Sequence, residues 1–324
     1  MSYRRFFLIR LAQALFALWL VATLVFVMFF VLLPNPERNL FGGQQATPAV
    51  VAHTTREFHL RDSLPEQYVR YLWRLIAHRS AGHPGYTFGG SRNSGLVDSG
   101  TVARESIPPT LSVVIPTLLL SLGVGALAGR LLATRRWRRV YGAPIYVAVG
   151  LAPAVLALYL SFYLGYRWDL FAISGYCDFF ESGSRSGCSG PVEWAKHLIL
   201  PVATLSLFFA AVYTRMVRAG LSRAGPDRGR RRSFVLFMTR VAAFDFGALI
   251  GLSAFVEAAF QIPGLGRLTF ISYAGQDLVS MQAAVLYAAF LGIAATFLVD
   301  AIVAALDADV RDDWRFVARP KRAT

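Results

Sequence analysis

Three acids lie in or beside long apolar runs of this 324-residue chain: Asp245, Glu257 and Asp300. An acid in hydrocarbon is costly and usually faces a cavity or a partner, so ion or proton coupling is one chemistry open to them. A structural or interfacial role is the other. Nucleotide chemistry has no support. A phosphate-binding loop needs a Gly-Lys pair ahead of Ser or Thr, whereas the two lysines, Lys196 and Lys321, follow Ala195 and Pro320. His53, His59, His78, His83 and His197 lack metal-ligand spacing with cysteine or with one another, so no metal site is expected. No Gly-x-Ser-x-Gly elbow falls within an apolar run, which argues against a hydrolase. Cys177 and Cys188 enclose a loop rich in Gly, Ser and acids. A disulfide there would stiffen a surface in an oxidising compartment; two free thiols are the alternative.

The elements that must position these residues are membrane spans. The composition is 55% hydrophobic and 16% charged, with mean hydropathy +0.47. That is too apolar for a soluble domain of this size. Six runs are long enough to cross the hydrocarbon: 11–33, 109–133, 141–164, 198–217, 241–260 and 279–306. The first exceeds a signal-peptide core and lacks a small-residue cleavage site, so it reads as a retained span. The expected fold is an all-α polytopic membrane protein of six transmembrane helices. The expected parts are 1–33, an external subdomain at 34–108, a core at 109–306 and a tail at 307–324.

Charge sets the orientation. Segments 1–10, 130–139, 215–240 and 307–324 carry 21 basic residues in 64 positions, against 12 in 125 for 34–108, 166–197 and 261–278. The positive-inside rule then places both termini in the cytoplasm. The basic residues are scattered between apolar runs with no interleaved aromatics, so the net charge of +14 does not imply nucleic acid. Within 34–108, residues 59–77 show helical spacing of Leu60, Leu64, Tyr68, Tyr71, Leu72 and Leu75, and 82–100 reads as irregular.

Glu257-Ala-Ala-Phe-Gln-Ile-Pro-Gly-Leu-Gly-Arg267 separates the last two runs. Pro263 removes a donor, and Gly264 and Gly266 permit φ > 0, so a helix must stop here. Irregular backbone at a membrane edge is tolerated where protein or a water-filled cavity covers it. Ala283, Ala284, Ala288, Ala289, Gly292, Ala294 and Ala295 give the last run a close-packing face.

The order of features resembles the B-type permease of oligopeptide and dipeptide ABC importers over nearly the whole chain. The resemblance rests on Arg10-Leu-Ala-Gln13 with Pro34-Asn-Pro36, on 59–68 with Tyr71-Leu72, and on Ile107-Pro-Pro-Thr-Leu111. It continues through Ile173-Ser-Gly-Tyr176, Lys196-His-Leu-Ile-Leu-Pro201 and Val299-Asp300 with Ala305-Leu-Asp307. Its most specific part is Val256-Glu-Ala-Ala-Phe260 with Ile262-Pro-Gly-Leu-Gly-Arg267, which makes Glu257, Phe260, Pro263, Gly264, Leu265 and Gly266 a candidate outer gate.

The resemblance implies a type I importer fold, a homologous second permease, two cytoplasmic ABC ATPases and an external substrate-binding protein, all at the inner membrane. It implies no cofactor in this chain, with ATP and Mg held by the partner ATPases. Within the inner coupling loop expected at 213–240, Tyr213-Thr-Arg-Met-Val-Arg-Ala-Gly-Leu-Ser222 is similar to the family's coupling segment but one residue shorter. Tyr213, Arg215, Arg218, Gly220 and Leu221 are the candidate ATPase-coupling residues. Ala308-Asp309 replaces the family's Pro-Arg before Val310-Arg311. Relatives of this class carry peptides, glutathione or nickel. A stand-alone carrier or channel, with an ion site of its own, and a membrane scaffold protein are the other readings.

Overall fold

The structure is a computed structural model. It describes residues 3–31, 62–77, 86–88, 96–132, 153–168, 170–172, 174–177, 179, 190–224, 228–275 and 277–306. Helix α1 (Tyr3–Phe26) widens at its end into a π turn, Val27–Val31. Helix α2 (Leu64–Ala77), strands β1 (Tyr86–Phe88) and β2 (Leu96–Asp98), and the short α3 (Ser99–Glu105) follow. Next come α4 (Ile107–Leu132) and α5 (Pro153–Leu160), the latter continuing as a π turn, Ser161–Arg167. The chain then forms α6 (Pro191–Ala224), α7 (Arg228–Phe260), α8 (Leu265–Ala274) and α9 (Leu278–Leu306).

Five stretches among the described residues are long and apolar enough to cross a membrane: Arg4–Phe26, Ser99–Leu132, Pro191–Leu221, Phe234–Phe260 and Val279–Ala305. They match five of the six expected spans. The first twelve residues of the remaining run, 141–164, lie outside the described residues; its far end is α5 and the start of the π turn.

The 34–108 connection departs from expectation in two places. The helix expected from 59 begins at Leu64: Glu66 Oε2 reaches back to accept the Ser63 amide at 3.3 Å, and the Gln67 amide donates to the Ser63 carbonyl at 3.0 Å as the first helical bond. The segment expected to be irregular contains β1 paired antiparallel with β2, Tyr86 opposite Asp98, followed by α3. Tyr-Thr-Phe and Leu-Val-Asp are β-prone triplets that local pairing stabilises despite the glycines between them. Helix α2 packs on α1 through Phe26, Tyr68 and Tyr71, with the Tyr68 hydroxyl 2.6 Å from Thr23 Oγ1.

The core is the α4–α6 pair. Thr117, Ser121, Gly125 and Gly129 recur every four residues on α4 and are all buried. This small-residue ridge lets the two backbones approach closely. A Cβ on Gly125 would sit 2.5 Å from Tyr213 Cβ, and one on Gly129 would sit 2.8 Å from Val217 Cβ. The α7–α9 crossing uses the same device with Gly247 opposite Gly292. Pro108 and Pro109 stand in the first turn of α4, where no intrahelical N–H bond is lost.

The inner segment 213–240, expected as a loop, is mostly helix. Helix α6 runs on to Ala224 and α7 starts at Arg228, so a helical hairpin replaces a long connection. The reason is apolar spacing: Val217 and Leu221 on α6 meet Phe234 and Met238 on α7. The Phe234 ring lies directly against Gly220. Gly125→Leu should lower the stability of the detergent-solubilised protein by about 2 kcal/mol. Gly123→Leu, a position with nothing within 4 Å, should leave thermal unfolding unchanged. Equal unfolding temperatures for both variants would show that the α4–α6 seam is not closely packed.

Candidate functional site

Helix α7 ends at Phe260 and α8 begins at Leu265, four residues intervening. The reversal is made by Gln261, whose φ of 55° puts it in the left-handed region. Sequence reasoning assigned that freedom to the glycines, but Gly264 is extended, with φ −93° and ψ 178°. The glycines are required for space. A Cβ on Gly264 would collide with the Glu257 carboxylate and lie 2.6 Å from Thr110 Oγ1, and one on Gly266 would run into the Ala254 backbone.

The N-cap position of α8 is Gly264, which has no side chain to receive the first amides of the helix. Groups from elsewhere receive them. Glu257, fully buried, accepts the amides of Gly266 at 2.8 Å and Arg267 at 3.2 Å through Oε2. Its Oε1 accepts the Ser253 hydroxyl at 2.8 Å. The Leu265 amide donates to Thr110 Oγ1 at 2.8 Å, and Thr110 donates onward to the Ser106 carbonyl at 3.2 Å. All three first-turn amides are thereby satisfied inside the protein, and a carboxylate stands at the positive end of the helix.

The loop after α5 closes over the same corner. Gly175, at φ +102°, donates its amide to the Phe260 carbonyl at 2.9 Å. Neighbouring Tyr176 lies with its hydroxyl 3.3 Å from Ser112 Oγ, and Trp194 Nε1 donates to the same oxygen at 3.3 Å. Cys177 is buried and disulfide-bonded, with Sγ 3.3 Å from His197 Nδ1. Cys188 lies outside the described residues. Of the candidate gate residues, Glu257, Phe260, Gly264, Leu265 and Gly266 are buried, and only Pro263 is exposed.

Sequence reasoning missed Thr110, Ser253 and Ser112. The available signal was a hydroxyl residue following Pro108-Pro109 at a helix start, and a serine one turn before Glu257. The other two acids also have partners. Asp245 Oδ2 accepts the Tyr213 hydroxyl at 2.7 Å. Asp300 lies 3.2 Å from Arg10 Nη1 and 3.5 Å from Arg240 Nε. The three acids are thus spread over three separate sites, each paired. Among the coupling candidates, Tyr213 is fully buried, Gly220 and Leu221 are half-buried in the hairpin, Arg218 is half-buried and Arg215 is exposed.

Known proteins match this chain over nearly its whole length. Residues 3–113 match the N-terminal model of binding-protein-dependent transport system membrane components, and 230–312 match the binding-protein-dependent transport system inner membrane component. The chain belongs to this family: it is a multi-pass inner-membrane permease of an ABC importer. A peptide transport system permease of Brucella abortus is 28% identical over 94% of this chain and 98% of its own length. The glutathione transport system permease of Pectobacterium atrosepticum is 27% identical over 94% and 98%. The dipeptide transport system permease of Lactococcus lactis is 25% identical over 95% and 99%. Thr110 lies in the first matched region and Glu257 and Leu265 in the second, so the corner, like the Arg10–Asp300 ion pair, bonds the two regions to each other.

Glu257→Ala should destabilise the solubilised protein by on the order of 3 kcal/mol, since it leaves buried amides unreceived. Thr110→Val, which removes one acceptor, should cost about 1 kcal/mol. Thermal unfolding reads both; a Glu257→Ala protein as stable as the parent would remove the capping role.

Proposed function

We propose that this chain is the membrane-spanning subunit of an ATP-driven peptide importer. It forms half of the translocation path, with a homologous second permease forming the other half. Two cytoplasmic ABC ATPases bind ATP and Mg and hydrolyse the nucleotide, and an external binding protein delivers the substrate. The observation that carries this reading is full-length similarity to permeases whose names all specify peptides, glutathione being a tripeptide. The partner set follows from the family. The chain holds no phosphate-binding loop of its own.

Charge distribution supports cytoplasmic termini. On that orientation the Glu257 corner lies at the outer mouth of the path, and its buried caps make it a rigid gatepost. Pro263 and Gln261 are then its outward face. A Cys177–Cys188 disulfide would hold the loop that covers it. The parts 1–33, 34–108, 109–306 and 307–324 serve as anchor, external subdomain, permease core and cytoplasmic tail.

The same orientation puts the end of the α6–α7 hairpin against the ATPases. With Tyr213 buried, docking falls to Arg215 and Arg218. A basic surface there would meet an ATPase groove as a helix end and pass its closure to the bundle as a rigid-body movement. A self-sufficient ion-coupled carrier has less support, because Asp245, Glu257 and Asp300 are each held by separate partners.

Affinity purification of the tagged chain from its own membranes tests the assignment. A second permease and ABC ATPases should co-purify in stoichiometric amounts, and a chain isolated alone under mild solubilisation would count against it. Arg215→Glu with Arg218→Glu should lower substrate-stimulated ATPase activity at least about tenfold, the loss of roughly 1.4 kcal/mol of coupling. Insertion and thermal unfolding should be unchanged. Full coupling in the double variant would place docking elsewhere.

A further inference from the structure

Helix α2 carries apolar residues on two flanks, and protein covers one of them. Tyr71 is buried with Ala22 and Phe26 of α1, and Tyr68, Leu72 and Leu75 of α2 pack around them together with Leu286 of α9. Val69 and Trp73 are left 63% and 67% exposed. They stand four residues apart, so they lie one above the other on a single flank beside the buried stripe. The flank on the other side of the stripe is polar. There Gln67 Nε2 donates to the Asp62 carbonyl at 2.9 Å, and Arg70 Nη2 pairs with Asp62 Oδ2 at 3.2 Å. The helix thus has three sectors: one against protein, one apolar and uncovered, and one charged.

Two exposed apolar side chains mean little by themselves; their depth decides. On α1 the contact falls at Ala22, Thr23 and Phe26, the last turn of the span Arg4–Phe26. On α9 it reaches Leu286, about two turns inside the start of the span Val279–Ala305. Helix α2 therefore lies across the ends of two spans, where hydrocarbon gives way to headgroups. A helix at that level meets two solvents at once. Its charged flank takes water, and Val69 and Trp73 take the lipid. The lipid-facing surface of the bundle continues up to them, since Leu24 on α1 and Met28 in the π turn after it are exposed. An indole suits this boundary because it has an apolar body and a single N–H donor. Helices with one apolar and one charged side lie in the plane of this interface.

We infer that α2 is a membrane-surface helix whose Val69 and Trp73 insert at the boundary between acyl chains and headgroups, in the leaflet where α1 ends. It anchors the connection between α1 and α4 to the bilayer. The partner is the phospholipid surface itself. The contact requires only that the chain spans a membrane, and it stands apart from the question of what is transported.

Spin labels on Val69→Cys, Trp73→Cys and Arg70→Cys test this in the full chain reconstituted into dioleoylphosphatidylcholine vesicles. Cys177 is held in a disulfide and does not take the label. Dissolved oxygen concentrates in hydrocarbon, and a water-soluble nickel chelate is excluded from it. The ratio of oxygen to chelate access should be about tenfold higher at 69 and 73 than at 70, because a polar chelate is costly to bring into lipid. A second measurement needs no label. Phosphatidylcholine brominated near the headgroup end of its acyl chains should quench tryptophan emission, and Trp73→Phe should lose part of that quenching. Equal chelate access at all three positions, or quenching unchanged by Trp73→Phe, would place the flank in water. Protection of 69 and 73 from both reagents, or loss of their oxygen access on adding an external binding protein, would place it under protein. Each of these results would overturn the inference.

Discussion

A helix that stops within a membrane protein exposes amides that lipid cannot receive. In this chain the break between α7 and α8 creates that demand, and the Glu257 carboxylate meets most of it by accepting the Gly266 and Arg267 amides. The rest of the architecture follows from this bond. The carboxylate must be buried to reach the helix start, so position 264 can carry no side chain. Thr110 must also be in place, because Glu257 cannot serve Leu265 as well. Helix α4 is thereby bonded to α8, and α4 is the element seated against α6 along the small-residue ridge. The corner and the core are one mechanical unit.

Charge elsewhere is handled in the same way, by giving each acid a separate set of partners. Asp245 takes a phenol, Asp300 takes two arginines, and Glu257 takes two amides and a hydroxyl. Ion-coupled carriers gather polar groups around broken helices at the midplane. Here the amides freed at the α7–α8 break are consumed by a cap. A permease that borrows its energy from separate ATPases has no need for a transmembrane ion site. The bundle can instead devote its polar residues to fixing helices relative to one another.

Much of this was legible in the sequence. The apolar runs located five crossings, and Pro263 with the flanking glycines located the break, because length, hydropathy and proline act locally. The function of the glycines was misread: φ > 0 belongs to Gln261, and Gly264 serves packing against a carboxylate seven residues earlier. That could not be read locally, since the partner Thr110 is 155 residues away from Leu265. The inner hairpin was hidden for a related reason. The basic segment 213–240 reads as a loop, while the apolar residues Val217, Leu221, Phe234 and Met238 that hold the helices together are sparse and matter only once the two segments face each other. The Thr117-Ser121-Gly125-Gly129 ridge stands in the sequence at spacing four, but spacing alone does not say which helix packs on it.

The most direct measurement is uptake of a labelled dipeptide into proteoliposomes containing this chain, its second permease and its ATPases, supplied with the binding protein. Accumulation should require ATP inside the compartment that faces the ATPases and should persist when proton and sodium gradients are dissipated. Uptake by this chain alone, driven by an ion gradient and indifferent to ATP, would contradict the account.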